Sequence, residues 1–400
     1  MKNPEIAVRT DPFQESVIRE MTRLGNETKA VNLSQGVPDF NPPTEILEAA
    51  ITAIKKGENQ YTFPFGSFLF RKALADKYAQ YNHIHADPEK EITITCGVSE
   101  AIMDAIMGLT DPGDEVIILE PWYENYVPDC LMAGVTPRFV EHSEPGYKID
   151  TEKLRAAFNK HTRLILLNTP HNPTGRVYSL EELTSVAELC QEFNVIAVSD
   201  ETYEHIFYDR HKHTSIGCLE GMHNRTVTIS GMSKSYSVTG WRVGWIVAVS
   251  TLTSVIRKVH DYFTVCAPAP FQSAGVIALK LGKEYFEEIR RKYSCRRSIL
   301  TDVLDFVGVD YFKPEGAYYV MLDYKNIKWE QEKYSRNDWT PDRTFAEFMA
   351  RDIGVAVVPG SSFYTGKDKG IYKVRINFAK KESTLKEAAK RLRKLQRFEK

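Results

Sequence analysis

Short apolar runs alternate along this chain with stretches of helical period, and that alternation sets the expected class of fold. Residues 115–119, 163–168, 195–199 and 243–248 are apolar runs of strand length, while 91–95 and 226–230 alternate with the period of a strand. Residues 99–107 have helical spacing, and Ser179 with Glu182 forms a capping box that opens a helix through Glu192. Thr44 caps a helix to Lys56 with Ile46, Leu47, Ala50, Ile51 and Ile54 along one face. Helices are expected at 271–281 and 283–303, strands at 355–360 and 372–378, and a solvated lysine-rich helix from Thr384 onward. The order predicts an α/β architecture around an open parallel sheet, whose ligands sit at the C-terminal ends of its strands.

The turns sharpen this picture. Gly97 and Val98 lead from a strand into a helix, and a helix N-terminus in that setting binds anions through its backbone N–H groups, here those of Val98, Ser99 and Glu100. Gly36, in the turn-rich stretch 32–43, lets a backbone amide approach a ligand closely. Phe63, Phe65, Phe68 and Phe70 read as core, and the polar, charged stretch 325–343 as a surface excursion.

Composition bounds the function. Four hundred residues exceed the usual size of one core, which predicts a large domain over 45–290 and a smaller one built from both chain ends, 1–44 and 291–400. Lys plus Arg (52) nearly balances Asp plus Glu (53), leaving no global field to attract nucleic acid or anionic membrane. The six cysteines lie far apart, without a CxxC pair or a Cys/His cluster at zinc spacing, so reduced thiols and no metal are expected. The charged N-terminal stretch lacks a signal-peptide core, and no apolar run is long enough to span a bilayer; a cytoplasmic location is expected.

The candidate chemistry gathers at residues 226–245. Lys234 follows a strand-like run and stands among Ser and Gly, which predicts a loop at a strand end where its amine can act as a nucleophile. Eight residues on, Arg242 lies between Gly240 and Gly244. An amine and a guanidinium at this offset suit a ligand with a carbonyl at one end and a phosphate at the other, the shape of pyridoxal phosphate.

The whole stretch from Gly231 to Gly244 resembles the lysine-attachment signature of the class I/II pyridoxal-phosphate aminotransferases, and the resemblance extends over residues 32–378. It implies a fold type I enzyme, with a mostly parallel seven-stranded sheet in the large domain and a smaller α+β domain. It further implies that Lys234 holds the cofactor and shuttles the substrate proton, and that Asp200 keeps the pyridine nitrogen protonated. Tyr203 and Asn172 are implied to reach the ring oxygen, Tyr123 to stack on the ring, and Ser99, Ser233 and Arg242 to hold the phosphate. Gly36, Asn172 and Arg375 would receive the substrate carboxylate, Arg375 through a planar fork that lysine could not reproduce. Tyr61 is implied to reach the phosphate of a neighbouring subunit, which makes the expected assembly a homodimer. The segment 314–319, PEGAYY, also matches the family and reads as structural.

The chain departs from the commonest pattern at Gly231, where relatives often have serine; Ser233 or Ser230 must then supply the hydroxyl, and Ser233 is favoured. Residues 260–272 contain no arginine of the kind that dicarboxylate-specific relatives can carry, which turns expectation away from strict aspartate specificity. The expected reaction is ping-pong transfer of an amino group from an L-α-amino acid to a 2-oxo acid. The alternatives are a β-lyase on the same constellation and a cofactor-binding transcription regulator, the latter requiring a DNA-binding domain.

Overall fold

The computed structural model describes Val8, Asp11, residues 15–366 and residues 368–398. The N-terminal stretch read for a signal peptide lies largely outside them. A seven-stranded sheet is built from β1 (Ile92–Thr95), β2 (Glu115–Glu120), β3 (Thr136–Glu141), β4 (Thr162–Asn168), β5 (Ile196–Asp200), β6 (Thr226–Gly231) and β7 (Gly244–Val247). Their spatial order is β1-β7-β6-β5-β4-β2-β3, and β7 runs antiparallel to both of its neighbours. The continuous apolar runs follow from burial on both faces. Val116, Ile118, Leu164 and Leu166 pack into one core, whereas Ile117, Leu119, Ile165 and Leu167 face the other.

A second, antiparallel sheet comprises β8 (Asp310–Tyr311), β9 (Tyr319–Asp323), β10 (Val358–Pro359) and β11 (Lys373–Asn377), in the order β10-β11-β9-β8. Val31–Asn32 pairs with Val355–Ala356 in a separate two-stranded ribbon. The 26-residue helix Gly282–Val307 leads from the first sheet to the second. Among the described residues, no helix is long and apolar enough to cross a membrane.

Several expectations are corrected. Lys234 sits in a single helical turn, Met232–Ser235, rather than in a loop. The helix Thr44–Lys55 begins at Thr44, with Pro43 before it, and buries Ile46, Ala50 and Ala53; Ile51 and Ile54 are exposed. Of the four phenylalanines read as core, Phe70 is fully buried, Phe65 is half-buried, and Phe63 and Phe68 are exposed. The stretch 325–343 is mostly exposed, yet Ile327 packs into the core and buried Asp342 accepts from the Ser361 amide at 2.7 Å.

Candidate active site

Strand β6 ends at Gly231, where a Cβ would stand 2.9 Å from the Val243 carbonyl oxygen; only glycine lets β6 and β7 close this tightly. The turn that follows presents Lys234 at the C-terminal edge of the sheet, beside Gly36, whose carbonyl accepts from Nζ at 3.5 Å. Burial lowers the Lys234 ammonium to about 8, with Arg242 and Arg375 acting in the same direction and Asp200 opposing. Near neutral pH a useful fraction of the amine is therefore unprotonated and nucleophilic.

An anion site adjoins it. Gly97, at φ 86°, begins the helix Val98–Leu109 with no side-chain cap, so first-turn N–H groups are left for a ligand. The Arg242 guanidinium lies where a Gly97 side chain would be, and Arg242 itself takes a left-handed φ of 53°. Val98, Ser99, Ser233, Thr239 and Arg242 line the same cleft as Lys234. Ser230 instead donates to Glu204 at 2.9 Å, so of Ser230 and Ser233 it is Ser233 that lines the cleft. Glu100 turns its carboxylate away, accepting from the Cys96 amide, Thr264 and His260, so only its backbone can serve an anion.

Asp200 ends β5 directly across the sheet from Asn168 on β4. Its carboxylate accepts from the Tyr126 hydroxyl at 2.9 Å and the Thr202 amide at 3.1 Å. Burial raises its pKa to about 6 despite those donors. Asn168 donates to the Asp200 carbonyl at 2.9 Å and accepts from the Asn172 amide at 2.7 Å, holding the two functional side chains in register. The Asn172 amide oxygen in turn accepts from Arg375 at 2.8 Å. Arg375 also donates to the Ser34 carbonyl at 2.9 Å; both partners are neutral, and its Nε is buried without one among the described residues. Tyr203 shares a 2.9 Å hydrogen bond with Tyr319, and Tyr123 lines the cleft beside them.

The fold thus brings Val98, Ser99, Tyr123, Asn172, Asp200, Tyr203, Ser233, Lys234 and Arg242 to one cleft, with Gly36 and Arg375 adjoining. Tyr61 is 81% exposed and stands outside the cleft of its own chain. Asn168, Thr202, Thr239 and Tyr319 also line the cleft and were not anticipated; Tyr319 was read as structural. Its signal was present, since it closes the PEGAYY match. Buried Thr202 Oγ1, with no partner among the described residues, adds a polar group left for a ligand.

Residues 28–392 match the family described as Aminotransferase class I and II. The chain belongs to this family. It is 36% identical to the kynurenine–oxoglutarate transaminase of Dictyostelium discoideum, over 97% of this chain and 96% of that protein. It is 32% identical to the methionine aminotransferase of Escherichia coli K12, covering 95% and 96%. The solved structure of N-succinyldiaminopimelate aminotransferase from Mycobacterium tuberculosis superposes with a TM-score of 0.92 at 34% identity, over 98% of this chain and all of that one. The protein is an amino-acid aminotransferase of fold type I, and pyridoxal phosphate is the cofactor of its family. The cleft fits that group: it pairs an amine of lowered pKa with a cation and an uncapped helix N-terminus for a phosphate.

Proposed function

We propose that this aminotransferase takes its amino group from an L-α-amino acid with a neutral or aromatic side chain and passes it to a 2-oxo acid in a ping-pong cycle. The observation that carries the reading is the convergence of Lys234, Asp200 and Arg242 on one cleft, with Arg375 adjoining it through Asn172. When bound, the cofactor supplies an electron sink for the electrons left at the substrate Cα. The Lys234 amine would hold the cofactor aldehyde and, once freed by the substrate amine, would carry the proton from the substrate Cα to the former aldehyde carbon. Asp200 keeps a proton on the pyridine nitrogen; its pKa of about 6 in the chain alone falls when a cation is set against it. Tyr203 and Asn172 would donate to its ring oxygen, Tyr123 would cover its ring, and Arg242, Ser99, Ser233 and the 98–100 amides would hold its phosphate. Arg375 forks onto the substrate carboxylate, its fork already held by two neutral acceptors.

A neutral or aromatic donor is supported by the absence of arginine from residues 260–272 and by the tyrosines at the cleft. Kynurenine and methionine, in the names of two relatives, have uncharged side chains. A homodimer, with Tyr61 reaching the partner's site, is supported by the exposed aromatic residues Tyr61, Phe63, Tyr262 and Phe263. The large domain at 45–290, the smaller one from both ends, and a cytoplasmic location belong to the same reading. The test supplies a panel of amino acids without an oxo acid and measures the 2-oxo acid released per site. One equivalent from neutral or aromatic donors supports the reading. Release from acidic donors alone, or continuous release of pyruvate with ammonia, overturns it.

A further inference from the structure

Tyr319 stands where the two halves of the site meet. It opens β9 opposite Asn377 of β11, and Arg375 lies two residues along the same strand, so the two side chains share a face. Its ring lies 4.4 Å from the Arg375 guanidinium. Its hydroxyl stands 2.9 Å from that of Tyr203. The chain also keeps space for this hydroxyl, because a Cβ at Gly36 would overlap it. Tyr319 is 3% exposed, so its orientation is set by packing.

We propose that Tyr319 is a positioning residue that ties the carboxylate-binding arginine to the cofactor-facing tyrosine, its ring steadying Arg375 and its hydroxyl orienting Tyr203. The inference rests on the roles assigned above to Arg375 and Tyr203. Two phenols that share one hydrogen bond have a direction to choose. If Tyr203 is to donate to the ring oxygen of the cofactor, Tyr319 must be the donor between them, and its donation polarises the Tyr203 O–H and strengthens what Tyr203 gives. Arg375 and Glu124 are the charged groups whose fields act on Tyr319; Tyr318 and Tyr123 complete the surroundings of the pair. The ring and the hydroxyl thus have separable effects.

The experiment measures the pH midpoint of the visible band of the cofactor-loaded protein in wild type, Tyr319→Phe, Tyr203→Phe and the double variant. A donor to the ring oxygen favours the anionic form, so a weakened donor raises the midpoint. Tyr319→Phe is expected to raise it by roughly half a unit or more, and to add nothing in the Tyr203→Phe background. Binding of a non-reactive monocarboxylate is measured alongside. Tyr319→Phe keeps the ring and should keep the affinity, whereas Tyr319→Leu should lose roughly two- to thirtyfold. An unmoved midpoint in Tyr319→Phe, or an equal shift with and without Tyr203, overturns the inference while leaving the cofactor reading intact. A wild-type protein with no visible band overturns both.

Discussion

Asp200 and Arg375 are the residues whose surroundings make the sharpest demands. Asp200 holds its proton more tightly folded, at about 6, than at the ordinary 3.8. Between those values the folded chain binds the extra proton, so this group favours folding at low pH and that contribution is lost as pH rises to about 6. In the cofactor-free protein, Asp200→Asn should therefore gain stability relative to wild type as pH is raised from 4 to 6, read from denaturant midpoints; a constant difference would contradict the burial argument. In the loaded enzyme the same change should lower kcat by roughly a hundredfold or more, because an amide cannot hold the pyridine proton. Arg375→Lys breaks a planar fork and should cost about 1.5–3 kcal/mol of kcat/KM, expressed chiefly in KM for the amino acid. Asp200 was legible because it stands at the end of an apolar run, whereas Arg375, in the middle of β11, was read only through the family resemblance. Tyr126, which donates to Asp200, was not: it sits in a helix 74 positions away, and no local pattern announces the contact.

At the scale of the element, the turn between β1 and its helix is the proposed phosphate site. Gly97→Ala places a side chain at φ 86° and against the Arg242 guanidinium. Strain of about 1–3 kcal/mol is expected there, together with at least tenfold weaker binding of pyridoxal phosphate, measured by equilibrium dialysis. Central strands were readable because burial on both faces makes them continuously apolar. The edge strand β3, with the sequence TPRFVE, was missed: it has one neighbour, three of its six residues are exposed, and its proline is of the kind edges tolerate. The aromatic stretch around Phe63 and Phe68 misled in the other direction, since composition cannot separate an apolar residue meant for the core from one left on the surface.

At the scale of the whole molecule, the proposed homodimer would set the exposed aromatic residues Tyr61, Phe63, Tyr262 and Phe263 against a partner surface. Sedimentation equilibrium should give twice the mass of the chain, and Tyr61→Ala should weaken cofactor binding although Tyr61 stands outside the cleft of its own chain. A monomer that binds the cofactor fully would contradict that reading. Long-range assembly was the least legible level. The buried Lys77–Glu204 pair at 2.5 Å, reinforced by Asn82 and Ser230, braces the turn between Asp200 and Tyr203 from residues scattered over 150 positions of sequence. The central claim is that the Lys234 amine binds the cofactor covalently. The most direct test adds pyridoxal phosphate to wild type and to Lys234→Ala, removes the excess, records absorption, and then reduces each with borohydride and measures intact mass. Wild type should gain a visible band and retain one cofactor per chain after reduction and unfolding, with Lys234→Ala retaining none. Equal retention by both, or attachment at another lysine in wild type, would contradict the account.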